Sequence, residues 1–245
     1  MDVKDKVVII TGASAGIGRA AALCFAKAGA KTVLAARSSD KLASLKAEIE
    51  QLGQPALAIP TDMRDQAAVN RMVAQAHSHF GRIDILVNNA GQAAAGRIAE
   101  VNPDYFRQIF DLNLLGVLYA IQAVVPPMRQ AGGGLIINIS SMVSKMHIPG
   151  LGTYAATKAA LNLLSDTARV ELAGDDIKVI TVYPRTTDTD FGRNSLGDSR
   201  MRQDQRSHAS RPGVIVDSPE YVAQKILAAA QSEPEEQFMA DTPVA

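Results

Sequence analysis

Short, strongly apolar runs alternate along the chain with longer segments rich in Ala, Leu, Lys, Glu and Gln. The runs are apolar on both faces, which is typical of strands buried between two layers of helices. This alternation predicts an α/β fold, a Rossmann-type doubly wound parallel sheet with helices on both faces. The predicted strands are 7–10, 32–35, 56–59, 85–88, 135–139 and 179–183, and the predicted helices are 18–28, 39–52, 66–80, 103–131 (as two helices) and 153–172.

The length and charge of the chain fit one domain that does not bind nucleic acid. A chain of 245 residues is an ordinary size for a single α/β domain. Lys and Arg together number 25, and Asp and Glu together also number 25. The formal net charge of zero therefore gives no sign of a positively charged surface for the phosphates of a nucleic acid. The single cysteine, Cys24, excludes an internal disulfide framework and a Cys-rich zinc site, and we predict no metal.

No targeting or membrane segment is expected. The first apolar run, at 7–10, is far shorter than the apolar region of a signal peptide. The longest apolar stretch, 112–128, is broken by polar residues, a glycine and prolines, and falls short of the roughly 20 apolar residues that span a membrane. We therefore expect a cytoplasmic protein without a membrane partner.

One segment interrupts the alternation. Residues 191–212 lack apolar periodicity and contain more arginines than aspartates. A long insertion in a compact domain is usually a functional loop, so we predict one domain over 1–245 with a substrate loop at about 190–212. A last helix is predicted over 218–230, with Ser218 as N-cap and Pro219 in first position, followed by a short strand at 237–240.

A glycine-rich turn joins the first predicted strand to the first helix. Its spacing, G-x-x-x-G-x-G, places Gly12, Gly16 and Gly18 where a dinucleotide pyrophosphate meets the positive end of a helix. Glycine permits a tight turn and a close approach of the backbone to phosphates. A plain structural turn is the alternative, but the position directly after a buried strand favours nucleotide binding.

The end of the second predicted strand suggests which nucleotide is bound. A carboxylate there would accept hydrogen bonds from a ribose 2′-hydroxyl, but the chain has Ala36 followed by Arg37. A guanidinium suits the 2′-phosphate of NADP(H). The alternative is an exposed charge at the start of a helix that Ser38 or Ser39 caps.

Tyr154 and Lys158 stand four residues apart in a helical pattern and therefore share a face. The reference pKa of a phenol is about 10, so bringing it near neutrality takes about 4 kcal/mol. An ammonium about 4 Å away supplies a comparable amount, so we expect Lys158 to lower the pKa of Tyr154. Ser141 follows a buried strand and brings a hydroxyl to the same edge of the sheet.

These motifs, in this order and spacing, resemble the short-chain dehydrogenase/reductase family in its simple single-domain branch, from Lys6 to about Thr189. The resemblance implies that Ser141 orients a substrate oxygen, Tyr154 exchanges its proton, and Lys158 holds the nicotinamide ribose. It also implies that Asn113 kinks its helix and completes the catalytic set. The implied cofactor contacts are Gly12, Ser14, Ala15, Ile17 and Gly18 on the pyrophosphate, Arg37 and Ser38 on the 2′-phosphate, Asp62 and Met63 on the adenine, Asn89, Ala90 and Gly91 on the ribose, and Pro184, Thr187 and Thr189 near the nicotinamide, besides Tyr154 and Lys158.

The chain departs from the family pattern at two places. The family usually has Pro-Gly after its sixth strand, and this chain has Pro184-Arg185. We expect Arg185 to point to solvent, with substrate contact as the alternative. The C-terminus lacks the glycine-rich ending of many tetrameric members, so the resemblance implies a homo-oligomer without deciding between dimer and tetramer.

The sequence as a whole predicts an NADP(H)-dependent carbonyl reductase or alcohol dehydrogenase acting on a small-molecule carbonyl or alcohol. An NAD-dependent dehydrogenase is the first alternative, and a nucleotide-sensing regulator without catalysis is the second. Substrate choice is expected to depend on residues 92–98, 142–152 and 191–212.

Overall fold

The computed structural model describes residues 1–197 and 215–239, and its elements follow the predicted alternation. The strands are β1 (Val7–Thr11), β2 (Lys31–Ala36), β3 (Ala56–Pro60), β4 (Ile85–Asn88), β5 (Ala94–Ala95), β6 (Gly134–Ile139), β7 (Ile177–Tyr183), β8 (Leu196–Gly197) and β9 (Glu236–Phe238). The helices, numbered among the described residues, are α1 (Gly16–Lys27), α2 (Ser39–Gln51), α3 (Gln66–Phe80), α4 (Pro103–Phe110), α5 (Gly116–Gln130), α6 (Gly152–Leu172) and α7 (Pro219–Ser232).

Among the described residues, seven strands form one parallel sheet in the order β3-β2-β1-β4-β6-β7-β9. The strand order reverses between β1 and β4, and loops that leave such a point in opposite directions open a crevice at the carboxyl edge of the sheet. The predicted doubly wound, Rossmann-type fold in a single domain is confirmed. The two short strands β5 and β8 pair with each other outside this sheet.

The core has two layers because the strands bury side chains on both faces. In β1, Val8 and Ile10 pack with residues of α1, α2 and α7, whereas Val7 and Ile9 pack with residues of α3, α5 and α6. This double burial explains why the strands are continuous apolar runs instead of alternating ones.

The predicted pair of helices over 103–131 forms without an intervening loop. A π-helical turn, Asp111–Leu115, joins α4 to α5 and contains Asn113, so the helix is irregular at the residue where the resemblance implies a kink. The run Pro103–Gln130 is long and apolar enough to pass a length-and-hydropathy test for a membrane span. Ala120, Val124 and Met128 are nevertheless fully buried in the protein, as in a core helix.

The C-terminal elements largely follow the prediction. Ser218 caps α7 by accepting a hydrogen bond from the Tyr221 amide at 3.1 Å, and Pro219 is the first helical residue. The last strand is Glu236–Phe238 instead of 237–240, and residue 240 lies outside the described residues. Most of the predicted 190–212 loop also lies outside them. Its described beginning reaches β8, where the Leu196 amide donates to the Ala93 carbonyl at 2.9 Å.

Candidate active site

A cavity of about 1700 Å³ opens along the carboxyl edge of the sheet, across the point where the strand order reverses. Two of the predicted site residues, Gly18 and Asn113, do not line it. The others all do, namely Gly12, Ser14, Ala15, Ile17, Arg37, Ser38, Asp62, Met63, Asn89, Ala90, Gly91, Ser141, Tyr154, Lys158, Pro184, Thr187 and Thr189.

The glycine-rich turn needs its glycines for packing within the protein. Gly12 and Gly16 have φ of +67° and +53°, where side chains are strained. A Cβ on Gly18 would lie 2.4 Å from the Gly12 carbonyl oxygen and from the Asn89 amide nitrogen. Ala15 precedes α1 and offers no side-chain cap, so the amides of the first turn are available to an anion in the cavity.

Asn89 and Thr11 clamp the turn to β4. The Asn89 side-chain amide donates to the Thr11 carbonyl at 2.9 Å, and the Asn89 and Ala90 backbone amides donate to the Thr11 hydroxyl at 2.9 and 3.0 Å. These bonds fix the geometry of the crevice between β1 and β4 before any ligand is present.

Cationic side chains lie at the end of the cavity near β2. Arg37 is exposed and, among the described residues, forms no hydrogen bond or ion pair. Arg64 is engaged differently, because it donates from Nε and from its terminal nitrogen to Asp62 at 3.0 and 2.6 Å, and these bonds lower the pKa of Asp62. Lys41 also lines this end. The sequence analysis missed Lys41, although its place in the first turn of α2, four residues after Arg37, was a usable signal.

Ser141, Tyr154 and Lys158 meet at the other end of the cavity. Ser141 lies two residues after the end of β6, and Tyr154 and Lys158 lie in the first two turns of α6. The Ser141 hydroxyl lies close enough to the Tyr154 phenol to favour the phenolate. The Lys158 ammonium donates to the Ile139 carbonyl at 2.8 Å and lies 5.9 Å from the centroid of the Tyr154 ring.

Burial controls the ionisation of this group. Burial raises the pKa of Tyr154, and the Ser141 hydroxyl opposes that rise. Burial also lowers the pKa of Lys158 to about 8. The net pKa of Tyr154 is therefore raised instead of brought toward neutrality, contrary to the expectation, because the loss of hydration of the buried phenolate dominates. The phenol stays protonated at neutral pH, as a proton donor must.

Asn113 is fully buried behind the cavity wall. Its side-chain amide donates to the Gln92 carbonyl at 2.9 Å and to the Thr157 hydroxyl at 3.0 Å, and its oxygen accepts from the Gln92 amide at 2.9 Å. A Cβ on Gly91 would lie 3.2 Å from that oxygen. Asn113 therefore connects the π-helical turn to α6 and to the loop after β4.

Arg185 does not point to solvent, and that expectation is wrong. Its Nε and terminal nitrogen donate to the Asp217 carboxylate at 3.1 and 2.7 Å, and the two side chains are only 15% and 5% exposed. The backbone of Asp217 also pairs with that of Thr186 and Asp188. The ion pair thus fixes the loop after β7 against the start of α7.

The segments expected to set substrate choice surround the Tyr154 end. Residues 92–98 and 142–152 contribute Arg97, Met146 and His147, among others, to the cavity lining. Phe191 begins the third segment, and its ring centroid lies 5.6 Å from that of Tyr154. No sequence pattern marks this ring contact, since the two residues lie 37 positions apart in unrelated segments.

Comparisons with known proteins agree with this geometry. A family model described as short chain dehydrogenase matches residues 6–199. An uncharacterized oxidoreductase of Listeria monocytogenes is 34% identical over 238 residues, covering 96% of this chain and 94% of the relative.

Solved structures are similar over almost the whole chain. A 7α-hydroxysteroid dehydrogenase complexed with NADH and 7-oxo glycochenodeoxycholic acid superposes with a TM-score of 0.87 and 30% identity, covering 99% of this chain and 95% of that one. An alcohol dehydrogenase from Thermococcus sibiricus complexed with 5-hydroxy-NADP gives 0.83 and 28%, covering 98% and 99%. Family model, relatives and solved structures together show that the chain is an oxidoreductase of the short-chain dehydrogenase/reductase family.

Proposed function

We propose that the protein is an NADP(H)-dependent oxidoreductase that moves a hydride between the nicotinamide and a carbonyl or secondary-alcohol substrate. One observation carries the proposal. A single cavity has the glycine-rich turn and Arg37 at one end and Ser141, Tyr154 and Lys158 at the other. An extended dinucleotide fits this layout, with its phosphates on α1 and its reactive ring near Tyr154.

Each catalytic side chain has a role that its surroundings support. Ser141 donates a hydrogen bond to the substrate oxygen and holds it beside Tyr154. Tyr154 gives its proton to that oxygen in the reducing direction and takes it back in the oxidising direction. Lys158 binds the nicotinamide ribose and, when charged, favours the phenolate. Asn113 supports Lys158 and Tyr154 through Thr157. The bound nucleotide supplies or accepts the hydride.

The choice of NADP(H) over NAD(H) follows from charge. Ala36 leaves no carboxylate to bond a free 2′-hydroxyl, whereas Arg37 and Lys41 line the cavity without an ion-pair partner among the described residues. A hydrogen bond between a guanidinium and a phosphate contributes roughly 1.5–3 kcal/mol. Because the two similar structures were solved with NADH and with an NADP derivative, membership of the family leaves this choice to local residues.

An apolar stripe on α6 supports a homo-oligomer. Leu163 and Val170 are 70% and 78% exposed and lie two turns apart, and the exposed Ala156 and Ala159 continue the stripe toward the start of α6. We propose that a second copy of the chain covers this face in a dimer or tetramer. We also propose, separately, that the protein is cytoplasmic. Light scattering of Leu163→Glu should then show a smaller particle than the wild type. A wild-type monomer would contradict the oligomer.

A nucleotide-oxidation screen tests the proposed activity. NADPH consumption is followed spectrophotometrically against ketones, quinones, aldehydes and ketoacyl thioesters, with NADH in parallel. We expect turnover of at least one carbonyl class with NADPH. Tight NADPH binding without turnover of any class would instead favour a nucleotide-sensing regulator.

A further inference from the structure

A chain of hydrogen bonds ties the residues on either side of Ser141 to one side chain of α6, Asn162. The Ser140 hydroxyl donates to the Asn162 side-chain oxygen at 2.5 Å. The Asn162 amide nitrogen donates to the Ser144 hydroxyl at 3.0 Å, and that hydroxyl donates to the Ser141 carbonyl at 2.7 Å. All three bonds are partly buried.

The helix places Asn162 in register with the catalytic group. Asn162 lies one turn after Lys158 and two turns after Tyr154, so the three side chains share one face of α6. Lys158 holds the Ile139 carbonyl, and Asn162 holds the next residue, Ser140. Successive turns of α6 therefore grip successive residues at the end of β6, just before Ser141.

The single hydrogen of the Ser144 hydroxyl explains why an amide side chain suits position 162. A serine hydroxyl has one hydrogen to donate and can accept through its oxygen. Because the Asn162 amide donates to Ser144, the single Ser144 hydrogen remains directed at the Ser141 carbonyl. An apolar side chain at 162 would leave the Ser144 hydroxyl without this orienting donor.

We propose that Asn162 is a positioning residue that acts through Ser144 to hold Ser141 against the Tyr154 phenol. This inference rests on the proposed function, since it assigns Ser141 a role in proton transfer. The Ser141 hydroxyl opposes the rise in the pKa of Tyr154. A displaced Ser141 should therefore slow turnover and also move the pH profile.

Ser144→Ala and Asn162→Leu test this chain. Each should lower kcat about tenfold with the carbonyl compound that the NADPH screen turns over best, because small misplacements of reacting groups are costly. The dissociation constant for NADPH, measured by fluorescence, should stay within about twofold, since neither side chain is assigned to the nucleotide. In the oxidising direction, the pH at which kcat is half-maximal should move upward.

Two further variants make the test specific. The double variant Asn162→Leu/Ser144→Ala should be no slower than the worse single variant, because both break the same chain. Ser232→Ala is the matched control, since it removes a 2.8 Å hydroxyl-to-carbonyl hydrogen bond from α7, far from this group in the sequence, and should leave kcat and the pH profile unchanged.

The possible failures are distinguishable. Wild-type kcat and pH profile in Ser144→Ala, or multiplied losses in the double variant, overturn the role of Asn162 while leaving the proposed function in place. If Tyr154→Phe keeps full activity, both the proposed function and this inference are overturned.

Discussion

The two ends of the cavity hold their charged groups in opposite ways. At the catalytic end, Tyr154 and Lys158 are 8% and 4% exposed, and the Lys158 ammonium donates to the Ile139 carbonyl. At the β2 end, Arg37 and Lys41 are exposed and, within the described residues, have no ion-pair partner. The fold fixes the first pair, whereas a ligand must engage the second.

This difference separates two kinds of effect. The pKa values of buried groups depend on the surrounding protein, so changes at the catalytic end should alter turnover and its pH dependence. Exposed cations interact through solvent, so changes at the β2 end should alter which nucleotide binds and how salt affects binding. The predictions that follow run from the largest expected effect to the smallest.

Tyr154→Phe should lower kcat by at least about 10²-fold, because proton transfer by a positioned group contributes on that order. The dissociation constant for NADPH should change little, since the phenol contributes mainly to the reaction step. Steady-state kinetics together with fluorescence titration measure both quantities. A variant that retains most of its turnover would contradict the assignment of proton transfer to Tyr154 at the catalytic end.

Ala36→Asp should reverse the nucleotide preference, a change of about 10²-fold in the ratio of kcat/KM for NADPH to that for NADH. The new carboxylate would repel a 2′-phosphate and accept hydrogen bonds from a free 2′-hydroxyl. Its size matters less than its charge, so Ala36→Asn is the control and should shift the ratio much less. Equal shifts in the two variants would argue against an electrostatic origin.

Arg37→Ala should reduce the preference for NADPH by about tenfold, because one charge-assisted contact with the phosphate is lost. Only the kcat/KM for NADPH should fall, and that for NADH should remain as in the wild type. Lys41→Ala should act in the same direction with a smaller effect. Parallel losses with both nucleotides would mean that these side chains support the fold instead of the phosphate.

Lys158→Met should raise the Tm of the nucleotide-free protein at pH 7 by a few degrees. This shift corresponds to a gain on the order of 1–2 kcal/mol in the free energy of unfolding. Burial lowers the pKa of Lys158 from 10.5 to about 8, so the unfolded state binds more protons between those values. The buried charge therefore destabilises the folded state fully below about pH 8, and this destabilisation disappears as the pH rises to 10.5.

The stabilisation by Lys158→Met should accordingly fade in melts recorded above pH 8. Lys178→Met is the control, because Lys178 is exposed and Glu233 raises its pKa. It should give no stabilisation at any pH. A difference in Tm between Lys158→Met and the wild type that does not change with pH in this window would contradict the burial of a titrating ammonium.

The sequence predicted those features that depend on local spacing. Apolar runs defined the sheet, and the spacing of Tyr154 and Lys158 along a helix placed both side chains in one cavity. The requirement for glycine at position 18 was predicted from a close approach to phosphates. In the structure, a Cβ on Gly18 would also collide with Asn89 and Gly12, so packing within the protein requires glycine there.

Features that depend on contacts between distant segments escaped the sequence analysis. Arg185 and Asp217 are 32 residues apart, and no local pattern marks them as partners. The direction of the Tyr154 pKa shift depends on how many elements bury the phenol, which the spacing of Tyr154 and Lys158 does not reveal. The partners of Asn162, Ser140 and Ser144, follow β6 and lie 22 and 18 residues away in the sequence, so no local pattern marks them.

The most direct test of the account is the ratio of kcat/KM for NADPH to that for NADH in the wild-type enzyme, measured with one carbonyl substrate at fixed pH and ionic strength. The exposed Arg37, which has no ion-pair partner among the described residues, predicts a ratio between about 10 and 100 in favour of NADPH. A wild-type enzyme that prefers NADH would contradict the account, because the cations at the β2 end would then not engage the nucleotide.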